Sequence, residues 1–141
     1  MSEQDNGSVA LSIFKSFDEK TFTEGLKVVS DDCKIEEVSN GDVFIGAEGL
    51  QAEFDKWERA FPDGHSEVKN VFEIGEWVAI EAVWHGTHGG PWATTGGREI
   101  PASGNKIEFR YCTIARIVDG KEVEERHYFD ESTLLRQMGA E

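Results

Sequence analysis

The chain has few of the residues that build disulfide or zinc sites. Its only two cysteines, Cys33 and Cys112, lie far apart, and neither has a second cysteine or a histidine at metal-ligand spacing. We therefore expect two free thiols, no metal site, and a reducing, cytoplasmic location.

Long hydrophobic runs are also missing. The longest uncharged apolar stretches run only a few residues, far below the ~20 needed to cross a bilayer. The first ten residues are polar and do not have the pattern of a signal sequence. The sequence predicts neither a membrane span nor export.

Positive charge is scarce. The chain has 14 Lys and Arg residues against 28 Asp and Glu residues, a formal net charge of −14. The basic residues are scattered singly, so they form no patch that could attract a phosphate backbone or an anionic lipid surface. We expect no nucleic-acid partner and no membrane partner.

Apolar and aromatic residues are plentiful enough for a folded core. They make up 38% and 11% of the 141 residues, and the length fits one domain of ordinary size. We therefore expect a single domain over residues 1–141.

The first half of the chain has the periodicity of helices. It predicts helices over residues 6–19, in the segment from Phe22 to Val29, and along the stripe Leu50, Phe54, Trp57 and Phe61. A short strand, Lys34–Val38, follows the second helix, and Pro62 ends the third.

In the second half the period changes to two, which is typical of strands. The predicted strands are His65–Ile74, Trp77–His88, Ile107–Val118 and Glu122–Phe129, and a helical turn closes the chain around Ser132–Met138. The segment Gly89–Gly104 has five glycines and two prolines, and it is predicted to be a loop or lid. Helices followed by an antiparallel sheet indicate the α+β class.

The last predicted strand carries polar residues on both faces. Val123, Glu125, His127 and Phe129 alternate there with Glu124, Arg126, Tyr128 and Asp130. One face must therefore bring polar groups near the core, where burial shifts pKa values toward those that proton transfer needs. The candidate catalytic residues are Asp130, His127 and Glu125, with His88 reaching in from a neighbouring strand.

Each candidate also has a purely structural interpretation. Asp130 fits the N-cap of the final helix, His88 a turn residue beside Gly89, and His127 a solvated strand residue. Trp57, Phe61 and Trp84 are aromatic residues of the kind that more often form the core than bind a ligand.

Several short segments, taken in order, resemble one known family. They are Ala60-Phe61-Pro62-Asp63 with His65, Gly86-Thr87-His88-Gly89-Gly90-Pro91, Ile100-Pro101-Ala102-Ser103-Gly104, Asp119-Gly120-Lys121, and Tyr128-Phe129-Asp130 followed by Leu134-Leu135-Arg136-Gln137-Met138-Gly139. Together they resemble the SnoaL-like polyketide cyclases, often labelled ester cyclases, of the NTF2-like superfamily. The resemblance covers most of the chain. It implies an α+β cone in which N-terminal helices wrap a strongly bent antiparallel sheet around a hydrophobic pocket.

The resemblance also implies a function and a site. Members of this family use an acidic residue on the late strands as general acid/base to close a polyketide ring by aldol chemistry, with neither a metal nor an organic cofactor. Asp130 is the matching position; if Val123, Glu125 and His127 face inward instead, the acid is Glu125. The ligand is expected to be a small hydrophobic carbonyl compound. The expected substrate-binding aromatics are Trp57, Phe61, Trp84, Trp92 and Tyr111.

Two alternatives remain open at this point. One is an epoxide or ester hydrolase on the same fold. The other is a non-catalytic ligand-binding or oligomerisation domain in which Asp130 is only a helix cap. Trp77, Val83 and Ile114 fall on outward positions of the predicted strands, so a homodimer or a higher homo-oligomer is expected.

Overall fold

The computed structural model describes residues 5–140, which form four helices and eight strands. In chain order these are α1 (Asn6–Asp18), α2 (Phe22–Leu26), β1 (Val29–Glu37), β2 (Asp42–Ile45), α3 (Gly46–Ala60), β3 (His65–Ile74), β4 (Trp77–Thr87), β5 (Trp92–Ala93), β6 (Glu99–Ile100), β7 (Lys106–Val118), β8 (Lys121–Tyr128) and α4 (Glu131–Gln137). Six strands make one large curved sheet in the order β2-β1-β8-β7-β4-β3, and β5 pairs with β6 in a separate hairpin. The predicted α+β class is confirmed.

The N-terminal helix begins where its sequence allows a cap. Asp5 accepts a hydrogen bond from the Ser8 backbone N–H at 2.7 Å, which satisfies one of the free donors at the start of α1. The helical spacing then turns Val9, Ile13 and Phe17 toward the sheet, where all three are buried. The predicted first helix is therefore confirmed.

The boundary after the second helix differs from the prediction. Helix α2 ends at Leu26, and Val29 already belongs to β1, where it lies opposite Glu122 of β8. Pairing with β8 extends β1 toward its N-terminus by five residues beyond the predicted start at Lys34.

The large sheet is antiparallel except at one position. Strands β1 and β8 run parallel, with Glu37 opposite His127. The chain passes through β2, α3 and four further strands of the two sheets before β7 and β8, and so long a connection permits a parallel return. The expected antiparallel sheet therefore contains one parallel pairing, β1 with β8.

A bulge in β8 brings two acids to the inner face of the sheet. Ile117 pairs with Glu122 and Arg116 pairs with Glu124, so Val123 is the extra residue on β8. In a regular strand, residues 122 and 125 would point to opposite faces. Because of the bulge both are buried, with Glu122 1% and Glu125 2% exposed.

The glycine-rich segment between β4 and β7 is packed more tightly than a free lid. It contains the β5–β6 hairpin, whose Trp92 and Ile100 are both buried. The N–H groups of Gly89 and Gly90 donate to the Ala60 carbonyl at 3.0 and 3.1 Å, and a Cβ on Gly90 would stand 1.9 Å from the Arg59 carbonyl oxygen. This close approach fixes the segment against the end of α3.

The main core lies between the inner sheet face and helices α1, α2, α3 and α4, and a smaller cluster packs α1 against β4 and β7. None of the helices within residues 5–140 is both long and apolar enough to cross a membrane.

Candidate active site

A pocket opens between helices α1 and α3 and the inner face of the sheet. Its empty space, including the mouth, is about 590 Å³. Most of the wall is aromatic, and the polar groups come from few side chains. The lining residues are Ile13, Phe14, Phe17, Glu53, Phe54, Trp57, Ser66, Trp84, Phe109, Tyr111, Glu125, His127 and Phe129. Apolar walls with a few convergent polar groups are typical of small-molecule sites.

The polar wall of the pocket centres on His127. Its Nε2 atom lies 2.5 Å from Glu125 Oε1 and 3.4 Å from Glu53 Oε2. Its Nδ1 atom lies 2.7 Å from the hydroxyl of Thr113, the residue directly opposite on β7. The imidazole is thus fixed by groups from three elements, α3, β7 and β8.

Helical spacing explains how Glu53 reaches His127 and Glu125. It lies three residues after Leu50 and four before Trp57, so it falls on the apolar stripe of α3 that faces the sheet. Only 4% of Glu53 is exposed. The helix therefore delivers a carboxyl group into an otherwise apolar interface.

His127 and Glu125 form a buried ion pair. Burial would lower the pKa of His127, but the carboxyl groups of Glu53 and Glu125 raise it well above its usual value. Burial would likewise raise the pKa of Glu125, but the imidazolium, with hydrogen bonds from Glu122 and His127, holds it at about 2. At neutral pH His127 is positive and Glu125 is negative.

Two further buried glutamates, Glu53 and Glu122, are neutral at neutral pH. Burial raises the pKa of Glu53 to about 8, and the charges of Glu37 and Glu125 act in the same direction against the opposing effect of His127. Burial and the neighbouring Glu125 raise the pKa of Glu122 well above its usual value. The protonated Glu122 donates a hydrogen bond to Glu125.

Glu37 lies beside these side chains but is ionised. Its carboxylate accepts hydrogen bonds from Lys56 Nζ at 2.5 Å, Trp57 Nε1 at 2.8 Å and Asn40 Nδ2 at 3.0 Å. Burial would raise the pKa of Glu37, but the charge of Lys56 and hydrogen bonds from Glu53, Lys56 and Asn40 bring it below the usual value. The bond from its Nε1 also fixes the Trp57 indole in the pocket wall.

The cluster also has the donor atoms of a cation site. One ligand atom each from Glu53, Glu125 and His127 lies within 4.8 Å of the other two. The imidazolium already neutralises Glu125 there. The absence of a metal from the working site stays a prediction.

Five of the nine predicted site residues line the pocket. They are Glu125, His127, Trp57, Trp84 and Tyr111. Of the two inward registers considered for the last strand, the structure shows the one that buries Glu125 and turns His127 into the pocket.

Asp130, the first candidate for the acid, lies outside the pocket at the start of α4. Its carboxylate is exposed and caps α4, accepting from the Ser132 N–H at 3.0 Å and from the Thr133 hydroxyl at 2.8 Å. The hydrogen bond from Thr133, with that from Ser132, lowers the pKa of Asp130. A carboxylate so stabilised is a poor general base at neutral pH.

His88, Phe61 and Trp92 also lie outside the pocket lining. His88 is fully buried, and its Nδ1 atom lies 2.9 Å from the Ser103 hydroxyl, tying the glycine-rich segment to the end of β4. Phe61 and Trp92 are fully buried and pack edge-on or tilted against other rings of the core. Trp57 lies against Trp92, with ring centroids 4.7 Å apart, and it is Trp57 that lines the pocket.

Several residues of the site were not predicted from the sequence. Glu53 had a usable signal, because it interrupts the apolar stripe of α3 at an inward position. Glu122 had none, since only the bulge at Val123 turns it inward. Ser66 is a single small residue in a mostly exposed strand and could not be distinguished by pattern.

Several solved structures have the same fold. A candidate SnoaL-like polyketide cyclase of Jannaschia sp. CCS1 is similar with a TM-score of 0.84 and 19% identity, covering 100% of this chain and 99% of that one. IdmH of Streptomyces antibioticus, a candidate polyketide cyclase, has a TM-score of 0.77 and 22% identity, covering 97% and 100%. A hypothetical protein of Catenulispora acidiphila with a ketosteroid isomerase-like fold has a TM-score of 0.77 and 15% identity, covering 94% and 93%. These likenesses define the ketosteroid isomerase-like, or NTF2-like, fold.

The family follows from the sequence itself. The model of the SnoaL-like polyketide cyclase family matches residues 9–138. The chain belongs to this family. A search of curated protein sequences gives no significant match.

Proposed function

We propose that the protein is an acid–base enzyme that acts on a small, mostly apolar carbonyl compound, as expected of a polyketide cyclase. The observation that carries this proposal is the Glu53–His127–Glu125 cluster in the wall of an aromatic pocket. Family membership and the fold of the candidate cyclases support it.

The proposed base is Glu53. Its pKa of about 8 lies close to neutral pH, where a group can both accept and return a proton. Glu125, with a pKa of about 2, is too weak a base for this step. Its role is to keep His127 charged and oriented.

In the proposed reaction, the Glu53 carboxylate removes a proton from a carbon next to the substrate carbonyl. The electrons of the C–H bond move onto the carbonyl oxygen, and the positive charge of the nearby His127 imidazolium, whose two N–H groups are bonded to Glu125 and Thr113, stabilises the oxyanion. The enolate carbon then bonds to a second carbonyl carbon, and the new alkoxide takes the proton back from Glu53. Because the substrate itself delocalises the charge, the step needs no electron-accepting cofactor.

Proton abstraction can be tested without the natural substrate. Tetralone, a bicyclic aromatic ketone, is incubated with the protein in D₂O, and deuterium uptake at its α-carbon is followed by NMR. We expect catalysed exchange that increases with pH as Glu53 ionises, and a decrease of about 10²-fold or more in Glu53→Gln.

The matched control is Glu124→Gln. Glu124 is on the same strand as Glu125, but its carboxylate pairs with Arg126 at 2.8 Å. It should leave exchange unchanged. Full exchange activity in Glu53→Gln would refute the proposal. Binding of tetralone without exchange would favour the non-catalytic alternative.

We also propose that a second copy of the chain covers part of the outer sheet face. Phe72, Ile74 and Trp77 are exposed there by 58%, 80% and 40%. Sedimentation should show a dimer that Trp77→Glu weakens; a monomeric wild type would contradict this.

A further inference from the structure

A pair of hydroxyl groups lies in the pocket wall, separate from the acid–base cluster. Ser66 Oγ, on β3, and the hydroxyl of Tyr111, on β7, are 2.5 Å apart, and both residues line the pocket. The Ser66 N–H donates to Asp18 Oδ1 at 3.1 Å, and the Tyr111 ring stacks on Phe14 with a 10° interplanar angle. The pair is therefore held in place from both sides.

One hydroxyl hydrogen of this pair is not used in the hydrogen bond between Ser66 and Tyr111. Two hydroxyls carry two hydrogens, and their mutual bond uses one. Among residues 5–140 neither oxygen has another hydrogen-bond partner. Burial raises the pKa of Tyr111, so its phenol stays protonated at any physiological pH.

A second unpaired donor lies on a neighbouring residue. Trp84, directly opposite Ser66 in the β3–β4 ladder, also lines the pocket. Its Nε1 atom is buried and has no acceptor within the described part of the chain. Buried donors without acceptors are rare in proteins, and at a ligand site they indicate where a ligand supplies the acceptor.

We propose that Ser66 and Tyr111 form a second oxygen-binding subsite, so that the ligand carries an acceptor oxygen in addition to the carbonyl placed beside His127. Tyr111 lies two residues along β7 from Thr113, the hydrogen-bond partner of His127, and the Tyr111 and His127 rings are 6.5 Å apart. The two oxygens of the ligand are thus on the same wall, several ångströms apart. The identity of the first oxygen rests on the proposed function; the second subsite does not.

The test compares ligands that differ in one acceptor oxygen. Tetralone and its methoxy isomers, whose ether oxygen can only accept, are titrated against the protein by tryptophan fluorescence. We expect at least one isomer to bind about tenfold more tightly than tetralone. The double variant Tyr111→Phe/Ser66→Ala should lose this preference, and Ser66→Ala alone should reduce it, because one hydroxyl remains.

The matched control is Tyr128→Phe, since Tyr128 is the other tyrosine of the chain and its hydroxyl contacts Arg126 instead. It should keep the preference. Equal affinity of the wild type for tetralone and every methoxy isomer would overturn the subsite, as would a preference that survives in Ser66→Ala and in the double variant. Exchange of tetralone tests Glu53 separately, so the two proposals fail independently.

Discussion

Two buried carboxyl groups, Glu37 at the end of β1 and Glu53 on the inner face of α3, differ in charge although both are almost completely buried. Glu37 is fully buried, yet it is a carboxylate because Lys56, Trp57 and Asn40 all donate to it. Glu53 is 4% exposed, its Oε2 atom has no hydrogen-bond partner among residues 5–140 beyond a 3.4 Å contact with His127, and it is neutral up to a pH of about 8. The comparison teaches that a neighbouring cation and hydrogen-bond donors, more than the depth of burial, decide whether a buried acid is charged.

The largest effect is expected from removing Lys56, the cation that pairs with Glu37. Lys56→Met leaves the Glu37 carboxylate buried without its ion-pair partner, and we expect it to lower the free energy of unfolding by about 3–5 kcal/mol. Urea denaturation measures this loss. Lys69→Met, which breaks the exposed pair with Glu67, is the control and should cost under about 1 kcal/mol. Similar losses in the two variants would contradict the comparison.

The second prediction concerns the pH dependence of stability. The folded-state pKa of Glu53 is raised to about 8 from 4.5, so the folded protein binds a proton that the unfolded chain has released, and stability falls as pH rises from 4.5 through 8. Between pH 5 and 6.5 this costs about 2 kcal/mol. In Glu53→Gln that part of the slope should disappear from urea denaturation curves. An unchanged slope would show that Glu53 is already ionised.

The third prediction weakens the support of His127. Thr113→Val keeps the shape of a side chain that is 1% exposed but removes its hydrogen bond to the imidazole. We expect a loss of about 1–2 kcal/mol in the free energy of unfolding and slower tetralone exchange. Calorimetry and the exchange assay measure both. Unchanged exchange would mean that Thr113 does not position the ring.

The smallest effect is expected at the exposed carboxylate Asp130. Asp130→Ala removes the cap of α4 and should lower the melting temperature by about 2–4 °C, with tetralone exchange unchanged. Loss of exchange at an unchanged melting temperature would restore Asp130 as the acid.

Local patterns were sufficient to predict most of the fold. The strand period predicted in Trp77–His88 agrees with the structure, where the alternate residues Val78, Ile80, Ala82 and Trp84 are all buried. The apolar stripe of α3 predicted that helix in the same way. The parallel pairing of β1 with β8 was not, because it depends on residues more than 80 positions apart.

The site was predictable only in part, for the same reason. Polar residues on the last strand indicated Glu125 and His127, but the choice between Glu125 and Asp130 depended on which face of the strand turns inward. The charge state of Glu53 depends on Glu37, Glu125 and His127, which come from two other elements. Such a state follows from the assembled core and not from any local sequence pattern.

The most direct test of this account is a pH titration of the Glu53 side chain by carboxyl-carbon NMR in the unliganded protein, assigned with Glu53→Gln. We predict a midpoint near 8 for Glu53. A midpoint near the usual 4.5 would show that Glu53 is charged throughout the neutral range, and it would contradict both its role as the base and the contrast with Glu37.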